Sequence, residues 1–155
     1  MSWFMVAAGV ACLACPAGAD ERYGRACLVV EALSPEEPPR VTTTAFDDAS
    51  TPGPGKRLAL YLDASVESYV LAAAFNDTDR RLTNGWPPQL VELKAWEERR
   101  LPLTPVRWEW TSRTEAFDVY VVFVDRTAEG LDALQSLVAA MQDPKTDPAL
   151  RDLQA

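Results

Sequence analysis

Apolar and polar positions keep a period of two through most of the chain and change to a helical period only near its C-terminal end. In RLALYLDA, residues 57–64, Leu58, Leu60 and Leu62 share one face while Arg57 and Asp63 take the other, as in a half-buried strand. ESYVLAAAF, residues 67–75, puts Tyr69, Leu71, Ala73 and Phe75 on one side; its alanines also suit a helix, but its short length and bounding turns favour a strand. Val106-Arg107-Trp108-Glu109-Trp110 alternates cleanly and aims Trp108 and Trp110 at a core. FDVYVVFV, residues 117–124, is apolar on both faces, as a central strand covered on both sides must be.

Weaker signals complete the set. Residues 25–33 form a short apolar strand, residues 40–46 an edge strand of β-branched side chains, and residues 90–93 a short strand after Pro87-Pro88. Ser34-Pro35-Glu36-Glu37-Pro38-Pro39 excludes helix and central strand, because proline lacks a donor and has a fixed φ. Residues 47–56, Asn76-Asp77-Thr78-Asp79 and Asn84-Gly85 read as loops and turns. From residue 127 the period changes. Leu131, Leu134, Leu137, Val138 and Met141 form one helical stripe, Thr127 is placed to cap it, and Asp143-Pro144 stops it. Asp147-Pro148 then has the form of an N-cap and first-turn proline opening a last short helix. Together these predict a mainly β fold: a small antiparallel β-sandwich-like domain with a C-terminal helix, on the boundary of α+β. The predicted organisation is a leader over 1–19, short strands and a Pro-, Gly- and acid-rich linker over 20–56, the sandwich with its helix over 57–142, and a helical tail over 143–155.

The leader assignment sets the compartment. MSWFMVAAGVACLACPAGA carries no charge, and its apolar run ends in Pro16-Ala17-Gly18-Ala19, an A-x-A-like site of the kind that closes a secretory signal peptide. The run is shorter than the ~20 residues of a spanning helix. Cleavage there would start the mature chain at Asp20, outside the cytoplasm. Two other readings stay open: a lipid anchor at Cys15, which follows Ala14 in a partial lipobox, and a retained buried helix. No Lys or Arg precedes the apolar run, so the usual positive n-region is missing.

Composition narrows the function classes. A net charge of −8 argues against nucleic acid and against anionic membrane surfaces, both of which reward clustered Lys and Arg. The chain has no His, which removes Ser-His-Asp and Cys-His catalysis, His-ligated zinc and histidine proton transfer. Cys27 is the one cysteine beyond the leader, so no disulfide framework holds the mature fold; its apolar surroundings fit a packed, inert thiol.

Over residues 57–141 the chain resembles an uncharacterised bacterial extracytoplasmic family, a domain of unknown function found in secreted and lipid-anchored envelope proteins and beside kinase or caspase-like domains. Leu58-Ala59-Leu60-Tyr61-Leu62 is similar to its first strand and Tyr69-Val70-Leu71 to its aromatic-led strand. Asn76-Asp77 stands at its turn, Trp86-Pro87 and Leu101-Pro102 at its proline steps, and Thr114-Glu115 before its hydrophobic strand, here Tyr120 to Val124. The family often has Gly in the turn where this chain has Thr114. The resemblance implies a β-sandwich and an envelope location, and brings no catalytic residues and no cofactor.

Candidate chemistry is sparse. Trp86, in a turn region, and Trp96 form a possible aromatic platform for a glycan or proline-rich peptide, with Tyr69 as a third aromatic; covering the sheet end is the alternative for both tryptophans. Asp77 and Asp79 place carboxylates at the spacing of a Ca²⁺ turn, though without the Gly bend and closing Glu of an EF-hand. Glu97-Glu98-Arg99-Arg100 reads as a solvated loop or a self-paired cluster, or else a docking patch. Asp47, Asp48, Glu97 and Asp118 are the carboxylates from which a hydrolase pair would have to be drawn. The sequence therefore points to a non-enzymatic extracytoplasmic domain that contacts an envelope protein partner. A glycan- or peptide-binding sensor is the alternative, and a carboxylate-based hydrolase the remote third.

Overall fold

A computed structural model describes residues 4–7, 22–36, 40–47, 49–77, 81–83, 85–114 and 116–142. Nine strands and one helix lie among them: β1 (Phe4–Ala7), β2 (Gly24–Leu33), β3 (Val41–Ala45), β4 (Lys56–Ala64), β5 (Ser68–Asn76), β6 (Gln89–Leu93), β7 (Arg99–Leu101), β8 (Trp108–Glu109), β9 (Phe117–Asp125) and α1 (Ala128–Gln142). They build three layers. A middle sheet runs β1-β9-β5-β6; an open sheet runs β3-β2-β4-β7, with β8 pairing β4 as well. Every pairing is antiparallel. The helix covers the far face of the middle sheet, so the expected mainly β sandwich with a C-terminal helix is the observed fold.

The alternation of β4 explains the first interface. Leu58, Leu60, Leu62 and Ala64 point inward against Val70, Ala72 and Ala74 of β5 and Val119, Val121 and Phe123 of β9. Burying one large aliphatic side chain contributes about 1.5–3 kcal/mol, so this row is the main stabilising seam. The alternate residues of β5 and β9 do the opposite job. Leu71, Val122 and Val124 meet Leu134 of the helix, with Leu137, Val138 and Met141 packed around them. The middle sheet is buried on both faces for this reason, and its small alanines let two layers approach it. Of the predicted stripe, Leu131 stays half-buried and outside that cluster.

The helix begins where its cap allows. Thr127 Oγ1 accepts the Gly130 N–H at 3.0 Å, and Glu129 lies in the first turn, where the helix dipole favours negative charge. Gly130 is required by packing: a Cβ there would lie 2.6 Å from the Asp125 carbonyl oxygen.

Two expectations change. The boundary at residue 57 falls inside the open sheet, because β2 pairs with β4 from Gly24↔Ala64 to Ala32↔Lys56. Residues 24–33 and 41–45 are therefore part of the sandwich and not a linker to it; β3 extends the same sheet at an exposed edge. Second, Arg99–Leu101 is a strand and not a loop. It pairs with Leu60 to Leu62 of β4, and only Leu101 carries an inward apolar side chain, so no local alternation announces it. Phe4–Ala7, inside the stretch read as a leader, pairs with Tyr120 to Phe123 of β9. The rest of the leader, Cys15 and the predicted tail over 143–155 lie outside the described residues. No described helix is long and apolar enough to cross a membrane.

Candidate functional site

The two predicted platform residues occupy opposite ends of the sandwich. Trp86 is 3% exposed and packs parallel to Trp108, ring centroids 5.7 Å apart, with Phe117 edge-on at 4.7 Å. Its Nε1–H donates to the Glu109 carbonyl at 3.3 Å. Trp108 pairs with Leu58 near the start of β4, whereas the Trp96 N–H donates to the carbonyl of Ala64 at the strand's other end. Six residues of strand separate those points by about 20 Å. A joint Trp86–Trp96 platform is thus corrected: one ring belongs to the core, and the other stands alone at the far end.

Trp96 is the most exposed large apolar residue among those described, at 73%. It sits in the turn between β6 and β7 with φ 62°, in the left-handed region. For a bulky L-residue that conformation is an outlier and costs roughly 1–2 kcal/mol. Tyr23, itself exposed, meets the Trp96 ring edge-on at 5.7 Å. The Tyr23 backbone is fixed on this end by bonds with Ser65: its N–H donates to Ser65 Oγ at 2.9 Å, and its carbonyl accepts the Ser65 N–H at 2.9 Å and, at 3.4 Å, the Ser65 hydroxyl. Charged pairs flank the aromatics in sequence, Arg25 with Asp63 at 2.6 Å and Arg99 with Glu97 at 3.6 Å. An apolar anchor with a polar rim is how recognition surfaces are usually built.

The end that holds Trp86 carries a cleft of about 530 Å³. Its walls are the segment after β5 and the turn before β9. The first is tied down by Thr83 N–H to the Ala74 carbonyl at 2.8 Å, the second by Thr114 N–H to the Thr111 carbonyl at 2.9 Å. Gly85, at φ 78°, turns the chain so that Trp86 forms the floor.

The remaining candidates scatter. Tyr69 lies on the helix side of β5, beside Arg126, whose guanidinium is held protonated by Glu67 first, then Tyr69 and Glu92. Asp77 follows β5, its N–H donating to the Ala116 carbonyl at 2.8 Å, while Asp79 lies outside the described residues. Among the described residues no three metal-ligating side chains converge. Asp47 accepts bonds from its own turn, Glu97 pairs with Arg99, and Asp118 sits opposite Phe75 on β9; Asp48 lies outside the described residues. Cys27 is half-buried on the outer face of the open sheet, away from the core between the sheets.

One buried charge escaped the sequence reading. Glu31, 2% exposed, points out of the open sheet and accepts Arg100 Nε at 2.6 Å, Arg57 Nε at 2.7 Å and a long bond from the Tyr61 hydroxyl at 3.5 Å. The Arg100 fork holds its carboxyl below the usual range, and Arg57 adds to that, against the upward push of burial. The charge run 97–100 is therefore only partly self-paired. Arg100 leaves it to neutralise β2. Glu31 sits in the apolar run CLVVEAL, residues 27–33, and its lone charge there was the only available signal.

No family model, no curated protein and no solved structure matches the chain.

Proposed function

We propose that this chain is a non-enzymatic extracytoplasmic domain of the bacterial envelope that acts by protein–protein contact, with Trp96 and Tyr23 as the anchor of that contact. The observation that carries this reading is Trp96: a large aromatic held in solvent, in a backbone conformation it disfavours, on the rim of a well-packed fold. Strain and exposure of this kind persist where function requires them. The export half is supported by the short apolar run and the small-residue site that closes it within residues 1–19. The non-enzymatic half is supported by the lack of His and by the scatter of the carboxylates that hydrolysis would need.

The test uses the full chain in a bacterial host. A photoreactive residue at position 96 is expected to cross-link one envelope protein, and the cross-link is expected to vanish when Tyr23→Ala is added. Identical adducts with the probe at position 96 and at the exposed Thr43 would overturn the contact. Mature protein beginning at Asp20 in the periplasmic fraction supports export, and cytosolic protein retaining Met1 overturns it.

A further inference from the structure

We propose that the cleft beside Trp86 binds a small ligand bearing an oxyanion, a carboxylate or a phosphate, held by Arg107 and Arg113. This site lies at the opposite end of the sandwich from Tyr23 and Trp96 and does not depend on the contact proposed for them.

In an acidic chain carboxylates are in excess, and arginine after arginine is neutralised. Arg22 pairs with Asp125, Arg25 with Asp63, Arg40 with Glu36, Arg57 and Arg100 with Glu31, Arg99 with Glu97, and Arg126 with Glu67 and Glu92. Arg107 and Arg113 stand outside every ion pair among the described residues, and both line this one cleft. Arg81 lines it too, with partners of its own. Set against Glu109, the described carboxylate of the lining, the guanidiniums of Arg107 and Arg113 leave a positive charge at the cleft in a protein of net charge −8.

Guanidinium forks match the paired oxygens of carboxylates and phosphates. The volume of about 530 Å³ falls within the range of small-molecule sites and exceeds what a bare ion fills. The ligand therefore carries a neutral body as well as its anion, and Glu109 offers an acceptor for a hydroxyl or amine on that body. The floor is already rigid, because Trp86 is locked between Trp108 and Phe117 and bonded to the Glu109 carbonyl.

Titration calorimetry of the full chain with three probes of similar size tests this: glucuronate, glucose 6-phosphate and glucose. Saturable binding of either anion with none of glucose is expected, and the stronger of the two identifies carboxylate or phosphate as the preferred group. Arg107→Gln and Arg113→Gln are each expected to weaken it about tenfold, and added salt to weaken it further. Trp96→Ala is expected to bind as the parent does. Failure of both anions to saturate, equal binding of glucose, or unchanged affinity in the Arg107→Gln/Arg113→Gln double variant would overturn the proposal.

Discussion

Glu31 on β2 and Arg100 on β7 meet across the intervening strand β4, 69 residues apart in sequence, through two parallel N–H···O bonds. Arg57 of β4 joins them, so three strands of the open sheet share one buried carboxylate. Removing that carboxylate leaves two facing guanidiniums. Glu31→Gln is expected to destabilise the fold by about 2 kcal/mol at neutral pH, less than the ~3–5 kcal/mol of a fully buried pair, because both arginines keep some solvent. Urea unfolding measures it; a loss below about 0.5 kcal/mol would contradict the geometry.

The same pair sets an acid limit. Glu31 titrates below its ordinary value in the folded protein, so its contribution is fully present above the unfolded carboxylate value of about 4.3 and is lost as pH falls through the lower folded value. Between pH 5 and 2 the parent is expected to lose stability more steeply than Glu31→Gln. Parallel curves in a pH series of unfolding experiments would show that this group does not drive the loss.

The helix depends on one cap and one anchor. Leu134 is fully buried against Leu71, Val122 and Val124, so Leu134→Ala is expected to cost about 3 kcal/mol. Thr127→Ala removes the bond to the Gly130 N–H and is expected to cost about 1 kcal/mol, with Thr127→Ser close to the parent. Denaturant midpoints rank the three, and a Thr127→Ala as damaging as Leu134→Ala would put the weight of the helix on its start.

Trp96 is expected to separate binding from folding. Glycine relieves the left-handed backbone, worth about 1–2 kcal/mol, and forfeits the Tyr23 ring contact, worth about 0.5–1.5 kcal/mol. Trp96→Gly should therefore melt near the parent and above Trp96→Ala, while both lose the partner contact. The reverse order of melting would mean that the turn relaxes once the indole is gone.

Gly24 faces the ring of Phe123, and a Cβ there would lie 2.7 Å from two ring carbons. Gly24→Ala is expected to cost about 2 kcal/mol by overpacking, and Phe123→Leu in the same chain to recover part of it. Strict additivity in the double-mutant cycle would show that the two do not touch.

Wherever burial is one-sided or complete, the chain was legible. The inward leucines of β4, the two-faced apolar run of β9, Trp108 and Trp110 in the core and the Thr127 cap all follow from local periodicity and local bonding. Strand β7 and the Glu31 cluster were not legible, since an arginine that pairs with a carboxylate 69 residues away looks like any solvated arginine in its own neighbourhood. Trp86 and Trp96 show the same limit. Both stand in turn-like segments, and only the packing of β8 and β9 buries one while the turn after β6 expels the other.

Period and turn chemistry, which act over a few residues, thus determined which segments became strands and where the helix starts. Which strands became neighbours, which arginines found a carboxylate and which were left lining a cleft were decided by contacts between distant segments. Those contacts come into being only when the sheets close on each other, and no local pattern of residues records them.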